Sequence, residues 1–146
     1  MNLTVDASVF VAAARAEETH YAASRQFLVQ ARSLGATIVC PTLILPECAA
    51  AIARPTGDST LAQELVGLVE GFPGMHLVPL EVPLAREAVQ MAATHRLRGA
   101  DSAHVAVAAS FDAALITWDS EMLERGLAVV KASTPSGWLE ALPASE

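Results

Sequence analysis

The stretch that decides the fold reads Ala113-Ala114-Leu115-Ile116-Thr117-Trp118-Asp119. Its short apolar run predicts a buried β-strand over residues 113–118, and an acid follows at once. The N-terminus repeats this pattern, because residues 2–5 read as a strand and Asp6 comes next. Two apolar strands that each end on a carboxylate are typical of a parallel sheet whose functional residues gather at one edge.

Outward from these two strands, short β-like runs alternate with longer helical runs. Further strands are predicted at residues 37–40, 75–80 and 127–131, and amphipathic helices fill most of the chain between them. The helix that carries Glu47 is expected to end at Arg54, because a residue before proline resists the helical conformation. Alternation of this kind predicts an α/β fold, a single domain over residues 1–146 with a central, mostly parallel sheet flanked by helices in three layers.

Size and composition agree with one folded domain. The chain has 146 residues, of which 53% are hydrophobic and 17% are charged. The charged share is below the roughly one quarter of an average soluble domain, which suggests that a partner covers part of the apolar surface. No apolar run reaches the ~18 residues that cross a bilayer, and no basic segment precedes an apolar one at the N-terminus. We therefore expect a soluble, cytoplasmic protein that does not enter a membrane.

Net charge and cysteine usage narrow the function classes. The formal net charge of −7 argues against broad electrostatic capture of nucleic acid, although it allows a nuclease whose acids surround a metal. Any RNA contact is then expected to be local. Cys40 and Cys48 form no CxxC pair, and their apolar surroundings predict two small buried side chains in a reducing compartment.

Four of the sixteen acids do not read as solvated surface charge: Asp6, Glu47, Asp101 and Asp119. Two of them follow predicted strands. Asp101 shares a helix face with Val105 and Ala108, which is expected to pack on the sheet. Glu47 shares its face with Leu43, Ala50 and Ala51, and that face is also predicted to point inward.

Ionised carboxylates in an apolar setting repel one another, and a hard divalent cation compensates for them. Oxygen ligands without a Cys or His cluster favour Mg²⁺ or Mn²⁺, which can activate water and stabilise charge on a phosphate. This chemistry indicates phosphodiester hydrolysis. The alternative to a metal site is that Asp6, Asp101 and Asp119 each cap the start of a helix. Glu47 has no such role.

The residues around these acids resemble the PIN-domain family. The matching segments are Val5-Asp6-Ala7-Ser8-Val9-Phe10, Glu47 on the helix after the second strand, Leu97-Arg98-Gly99-Ala100-Asp101-Ser102-Ala103-His104-Val105-Ala106, and Leu115-Ile116-Thr117-Trp118-Asp119. Their order and spacing cover nearly the whole chain, and the size is similar to that of VapC toxins. The resemblance implies a metal-dependent endoribonuclease in which Asp6, Glu47, Asp101 and Asp119 hold Mg²⁺ or Mn²⁺ and RNA is the substrate.

The same resemblance suggests roles for other residues and partners. Ser8 and Thr117 are candidates for hydrogen bonds that orient the acids, with local backbone bonding as the alternative. Arg96 and Arg98 are candidates for RNA phosphate contacts, with solvated surface as the alternative. The VapC likeness implies a toxin of a toxin–antitoxin pair, a homodimer and a cognate VapB-type antitoxin.

Several neighbouring residues and functions stay open. His104 is interpreted as a packed or half-exposed residue rather than a general base, and Glu121 is a possible helper at the metal. Trp118 is a candidate for stacking on bases, whereas packing is expected of Trp138. Alternative functions are a catalytically silent PIN-fold module that binds RNA or a partner, and an RNA-processing PIN nuclease that is not a toxin. A receiver-like signalling module lacks its paired acids here, and a small-molecule phosphohydrolase lacks a glycine-rich phosphate loop.

Overall fold

The computed structural model describes residues 1–144, in which strands and helices alternate along the chain. The strands are β1 (Asn2–Val5), β2 (Thr37–Pro41), β3 (Met75–Val78), β4 (Ala114–Ile116) and β5 (Ala132–Ser133). The helices are α1 (Ala7–Ala14), α2 (Tyr21–Ser33), α3 (Ile44–Thr56), α4 (Ser59–Glu70), α5 (Val82–His95), α6 (Gly99–Ser110), α7 (Ser120–Gly126) and α8 (Pro135–Glu140). Within this described part, no helix is long and apolar enough to cross a membrane.

The sheet is wholly parallel and has the order β3-β2-β1-β4-β5. Successive strand residues point to opposite faces, and Leu3, Thr4 and Val5 of the central strand are all buried. Helices therefore cover both faces of the sheet at β1, as expected for parallel strands. The predicted α/β fold with a sheet flanked by helices is confirmed.

The strand order creates a crevice between β1 and β4. From β1 the chain builds β2 and β3 on one side, and it then crosses back to place β4 on the other side of β1. In open parallel sheets, such a reversal opens a crevice beyond the carboxyl ends of the strands. Asp6 follows β1 and Asp119 comes three residues after the end of β4, so both lie at this crevice.

Helix α6 contributes most to the middle of the core. Every residue from position 101 to position 108 is buried, because this helix packs against β1, β2 and β4 and also against α5. Asp101, Val105 and Ala108 are buried together, as their shared face predicted. Both cysteines are buried free thiols, as predicted.

Strands β3 and β4 are shorter than the predicted ranges of residues 75–80 and 113–118, and two other elements differ more from the sequence-based prediction. The fifth strand was predicted over residues 127–131, but β5 is Ala132–Ser133, which pairs with Leu115 and Ile116 of β4. The predicted segment instead forms a turn, in which the backbone N–H groups of Val129 and Val130 both donate to the Gly126 carbonyl. Their side chains pack on the smaller of the two core clusters, so apolar burial rather than strand pairing explains this run.

Helix α3 continues past Arg54 to Thr56, with Pro55 in its last turn. Two carbonyls of this last turn accept hydrogen bonds from residues four positions later. Thr56 Oγ1 donates to the Ile52 carbonyl at 2.6 Å, and Gly57 N donates to the Ala53 carbonyl at 2.7 Å. Gly57 has a φ of 68°, the left-handed conformation that ends helices and favours glycine.

Candidate active site

The structure brings the four predicted carboxylates to one cleft of about 400 Å³ at the carboxyl edge of the sheet. Each comes from a different part of the fold. Asp6 follows β1, Glu47 lies in the first turn of α3, Asp101 lies in the first turn of α6, and Asp119 precedes α7. Four acids that are far apart in the chain therefore share one small volume.

Thr117 connects the two acids that follow strands. Its fully buried hydroxyl donates to Asp6 Oδ2 at 2.9 Å and accepts from the backbone N–H of Asp119 at 3.0 Å. One hydroxyl thus positions the Asp6 carboxylate directly and the Asp119 backbone at the same time. The bond to Asp6 is the contact that an orienting role requires, and the bond from Asp119 is the local backbone bond of the alternative.

Helix capping explains Asp119 in part, but it does not explain Asp6 or Asp101. Asp119 Oδ1 accepts from Met122 N at 2.9 Å, which caps α7. Asp6 stands at the start of α1 without a side-chain cap bond, and Asp101 is the third residue of α6. Burial acts to raise the pKa of Asp119, but the Met122 N–H and the Arg98 guanidinium outweigh it and hold that pKa below its usual value.

Arg98 binds the acids and is not simply solvated. Its Nε lies 3.0 Å from Asp101 Oδ2, and its terminal nitrogen Nη2 lies 2.5 Å from Asp119 Oδ2. These hydrogen bonds raise the pKa of Arg98. Burial raises the pKa of Asp101 above its usual value despite the opposing effect of Arg98.

Arg96 is exposed at the end of α5 with a φ of 58°, and its carbonyl accepts a hydrogen bond from Arg125.

His104, expected from the sequence to be a packed or half-exposed residue, is fully packed and also joins the cluster. Its ring is fully buried, and Nε2 lies 2.6 Å from Glu47 Oε1. Burial acts to lower the pKa of His104, but the hydrogen bond to Glu47 and the nearby negative charges outweigh it and raise that pKa. Because this nitrogen is already engaged by the carboxylate, the imidazole positions Glu47. Its place one helical turn after Asp101 brings it near the acids, whereas its contact with Glu47, 57 positions away, depends on helix packing.

The face of α3 that carries Glu47 is less buried than predicted. The buried residues of this helix are Ile44, Cys48 and Ile52, whereas Ala50 and Ala51 are exposed. Glu47 lies next to these buried residues on the helix surface, and its side chain is 26% exposed. The carboxylate therefore reaches the cleft from the edge of the core and is not enclosed by it.

The donor set fits a divalent cation. The carboxylates of Asp6 and Glu47 and the imidazole of His104 place one polar atom each within 4.8 Å of one another, and the imidazole nitrogen is engaged by Glu47. Asp101 and Asp119 line the same cleft, and Arg98 is the cation that pairs with them. Four carboxylates facing one guanidinium leave an excess of negative charge, which a hard cation with oxygen ligands compensates.

Ser8 acts through the backbone next to an acid. Its Oγ accepts from the backbone N–H of Trp118 at 3.1 Å, so it holds the segment before Asp119. Within residues 1–144 it makes no hydrogen bond to a carboxylate. Trp118 is partly buried, and its indole is stacked on His20. Trp138 packs edge-on against Phe27 with ring centroids 5.0 Å apart, as expected of a packing residue.

Glu121 takes no part in the cleft. It pairs with Arg125 at 2.6 Å, and it is not among the described residues that line the cleft around Asp119. The possible helper role of Glu121 at a metal is therefore not supported by its position.

The fold is similar to that of several solved structures. VapC20 of Mycobacterium tuberculosis, described as a sarcin-ricin loop cleaving toxin, is 14% identical with a TM-score of 0.70, covering 82% of this chain and 92% of its own. VapBC2 of Rickettsia felis, bound to a DNA fragment from its promoter, is 11% identical with a TM-score of 0.70, covering 92% and 98%. PAE2754 of Pyrobaculum aerophilum is 21% identical with a TM-score of 0.68, covering 96% and 93%.

Sequence comparison identifies the family. No curated protein matches the chain. The family described as PIN domain matches residues 3–126, which include all four acids of the cleft. With that match over most of the chain and the fold shared with VapC20, this protein belongs to the PIN domain family.

Proposed function

We propose that this chain is a metal-dependent endoribonuclease that hydrolyses RNA phosphodiester bonds. The observation that carries the proposal is the convergence of four carboxylates, from four elements of the fold, on one cleft at the carboxyl edge of the sheet. A buried hydroxyl and a buried imidazole hold two of these acids in place. Membership of the PIN family and the likeness to the toxin VapC20 support nuclease activity.

In this proposal Asp6, Glu47, Asp101 and Asp119 are the catalytic acids and hold Mg²⁺ or Mn²⁺. The bound ion would supply the positive charge that a reacting phosphate and its attacking water need. Side chains of this protein orient two of the acids before an ion binds, because Thr117 fixes Asp6 and His104 fixes Glu47. Ligands that are oriented before binding need less reorganisation when the ion and the substrate arrive.

We further propose that Arg98 and Arg96 contact RNA phosphates beside the cleft. The Arg98 side chain is 58% exposed although its guanidinium pairs with two aspartates, so it can also face a bound strand. With a net charge of −7, the protein offers no broad attraction to RNA. Local cations at the cleft therefore matter more here than they do in a basic nuclease.

We also propose that the protein is the toxin of a toxin–antitoxin pair, a cytoplasmic homodimer with a VapB-type antitoxin. VapC20 is described as a toxin, and the likeness to VapBC2, described as bound to a DNA fragment from its promoter, supports a partner of this kind. A cleft rich in carboxylates would accept an arginine from such a partner. Light scattering on the purified chain, and co-purification with the product of an adjacent small gene, test the dimer and the antitoxin.

The decisive experiment is cleavage of a labelled panel of single-stranded RNAs with Mn²⁺, Mg²⁺ or EDTA. Wild type is compared with Asp6→Asn and with the matched control Asp112→Asn. Asp112 lies outside the cleft and has a φ of 48°, a conformation that asparagine tolerates well. We expect metal-dependent cutting that is lost in EDTA and in Asp6→Asn and is kept in Asp112→Asn.

Two results would overturn this proposal. Metal binding without cleavage of any RNA would favour the catalytically silent binding module. Cleavage that survives both EDTA and Asp6→Asn would remove the carboxylates from the reaction. Cleavage of one defined precursor without growth inhibition would keep the nuclease and favour an RNA-processing enzyme over a toxin.

A further inference from the structure

We propose that His20 and Trp118 form a stacking platform that binds an unpaired RNA base at the rim of the cleft. The two rings are nearly parallel, with an interplanar angle of 6° and centroids 3.7 Å apart. This inference rests on the proposed function, since it names the part of the substrate that the same site would hold.

The indole of Trp118 is held from two sides. Its backbone N–H donates to Ser8 Oγ at 3.1 Å, and its Nε1 donates to Ser24 Oγ at 2.8 Å. Ser24 is fully buried, so the second bond ties the ring edge to the body of α2. A ring fixed in this way presents a defined plane and loses little freedom when another ring stacks on it.

The platform adjoins the catalytic cleft. Trp118 directly precedes Asp119, and both Asp119 and Ser8 line the cleft. A nucleotide stacked at this position would therefore be close in the strand to the phosphate that faces the acids. The stacking rings and the carboxylates come from the same segment after β4, which couples substrate placement to the site of reaction.

His20 is the open end of the stack. It occupies the N-cap position of α2, yet its side chain makes no capping hydrogen bond. Its ring lies over the indole instead, and the residue is exposed to solvent. One face of the imidazole is covered by Trp118, so the opposite face is the surface on which a base would continue the stack.

This geometry selects the class of substrate. Every base has a π-face, so stacking tolerates many sequences, but the base must be free of its own neighbours. Unpaired nucleotides in loops and single strands meet that condition, whereas bases inside an A-form duplex do not. Stacking also provides affinity that does not depend on positive charge, which suits a chain of net charge −7.

The test combines variants of His20 with an abasic scan of a cleavable single-stranded RNA in Mn²⁺. We expect His20→Ala to raise KM roughly tenfold with kcat changed by less than about twofold, since one base stack is worth about that factor. His20→Phe should restore the KM of wild type. An RNA that lacks the base at the stacked position should show a higher KM with wild type and with His20→Phe. The same abasic RNA should leave the KM of His20→Ala unchanged.

A second measurement does not depend on turnover. In a Trp138→Phe background, Trp118 is the tryptophan that remains. The intact RNA should quench its fluorescence more strongly than an RNA that is abasic at the stacked position. Thermal unfolding of each variant identifies a change that is merely structural, because a loss of stability alone would not depend on the abasic position.

The outcomes separate this inference from the proposed function. If wild type cuts RNA and His20→Ala has the same KM and the same abasic profile, the platform is wrong and the nuclease stands. If wild type cuts no RNA but shows position-dependent quenching, the platform stands in a binding module. Equal effects of His20→Ala and His20→Phe would also refute stacking, because phenylalanine keeps the π-face.

Discussion

Replacement of threonine by valine at two buried positions should have opposite effects on stability. Thr4 and Thr117 are both fully buried. The Thr117 hydroxyl makes two hydrogen bonds, whereas Thr4 Oγ1 has no hydrogen-bond partner among the described residues. Valine has nearly the same shape as threonine and lacks the hydroxyl. The pair of substitutions therefore isolates the contribution of a hydrogen bond from that of packing.

The expected magnitudes follow from the partners. At Thr117, the bond to the Asp6 carboxylate contributes about 1.5–3 kcal/mol, and the bond from the Asp119 N–H contributes about 0.5–1.5 kcal/mol. Thr117→Val should therefore destabilise the protein by about 2–4 kcal/mol. At Thr4, removal of a buried hydroxyl without a partner should stabilise it by about 1–3 kcal/mol.

Urea unfolding at neutral pH in EDTA measures both effects. With a slope of about 2 kcal/mol per molar urea, Thr117→Val should lower the midpoint by about 1–2 M, and Thr4→Val should raise it. Thr117→Ser is the control, since it keeps the hydroxyl and loses a methyl group at about 1 kcal/mol. A loss below about 1 kcal/mol in Thr117→Val, or equal signs for the two valine variants, would refute the hydrogen-bond reasoning.

Three further predictions concern the cleft and the core. Arg98→Ala leaves two aspartates without their counter-charge. In a thermal shift assay, Mn²⁺ should therefore raise the melting temperature of this variant more than that of wild type. An equal or smaller rise would contradict the pairing of Arg98 with the two aspartates. His104→Phe removes the donor to Glu47 and should weaken Mn²⁺ binding roughly tenfold in calorimetry, whereas unchanged affinity would show that the imidazole does not position the carboxylate. Burial raises the pKa of the Cys40 and Cys48 thiols to about 12. Neither thiol should therefore react with a disulfide reagent at pH 8 until urea unfolds the chain. Reaction of the native protein would show that a thiol lies at the surface.

Local sequence patterns predicted the elements that carry the acids. The apolar runs before Asp6 and Asp119 form strands, because helices cover both faces of a parallel sheet and such a strand favours a continuous apolar run. The run over residues 127–131 has the same character and is not a strand. Burial of apolar side chains is common to strands and turns, so only the pairing of β5 with β4 could decide this case.

The sequence by itself determined the kind of fold and the four candidate acids, since the alternation of strand-like and helical runs and the place of each acid beside them are local patterns. Only the tertiary structure decided which side chains surround those acids. Glu47 and His104 are 57 positions apart, and Asp6 and Thr117 are 111 apart. Contacts at such separations depend on strand order and helix packing, and so do the pairing of Arg98 with Asp119 and the stacking of His20 on Trp118.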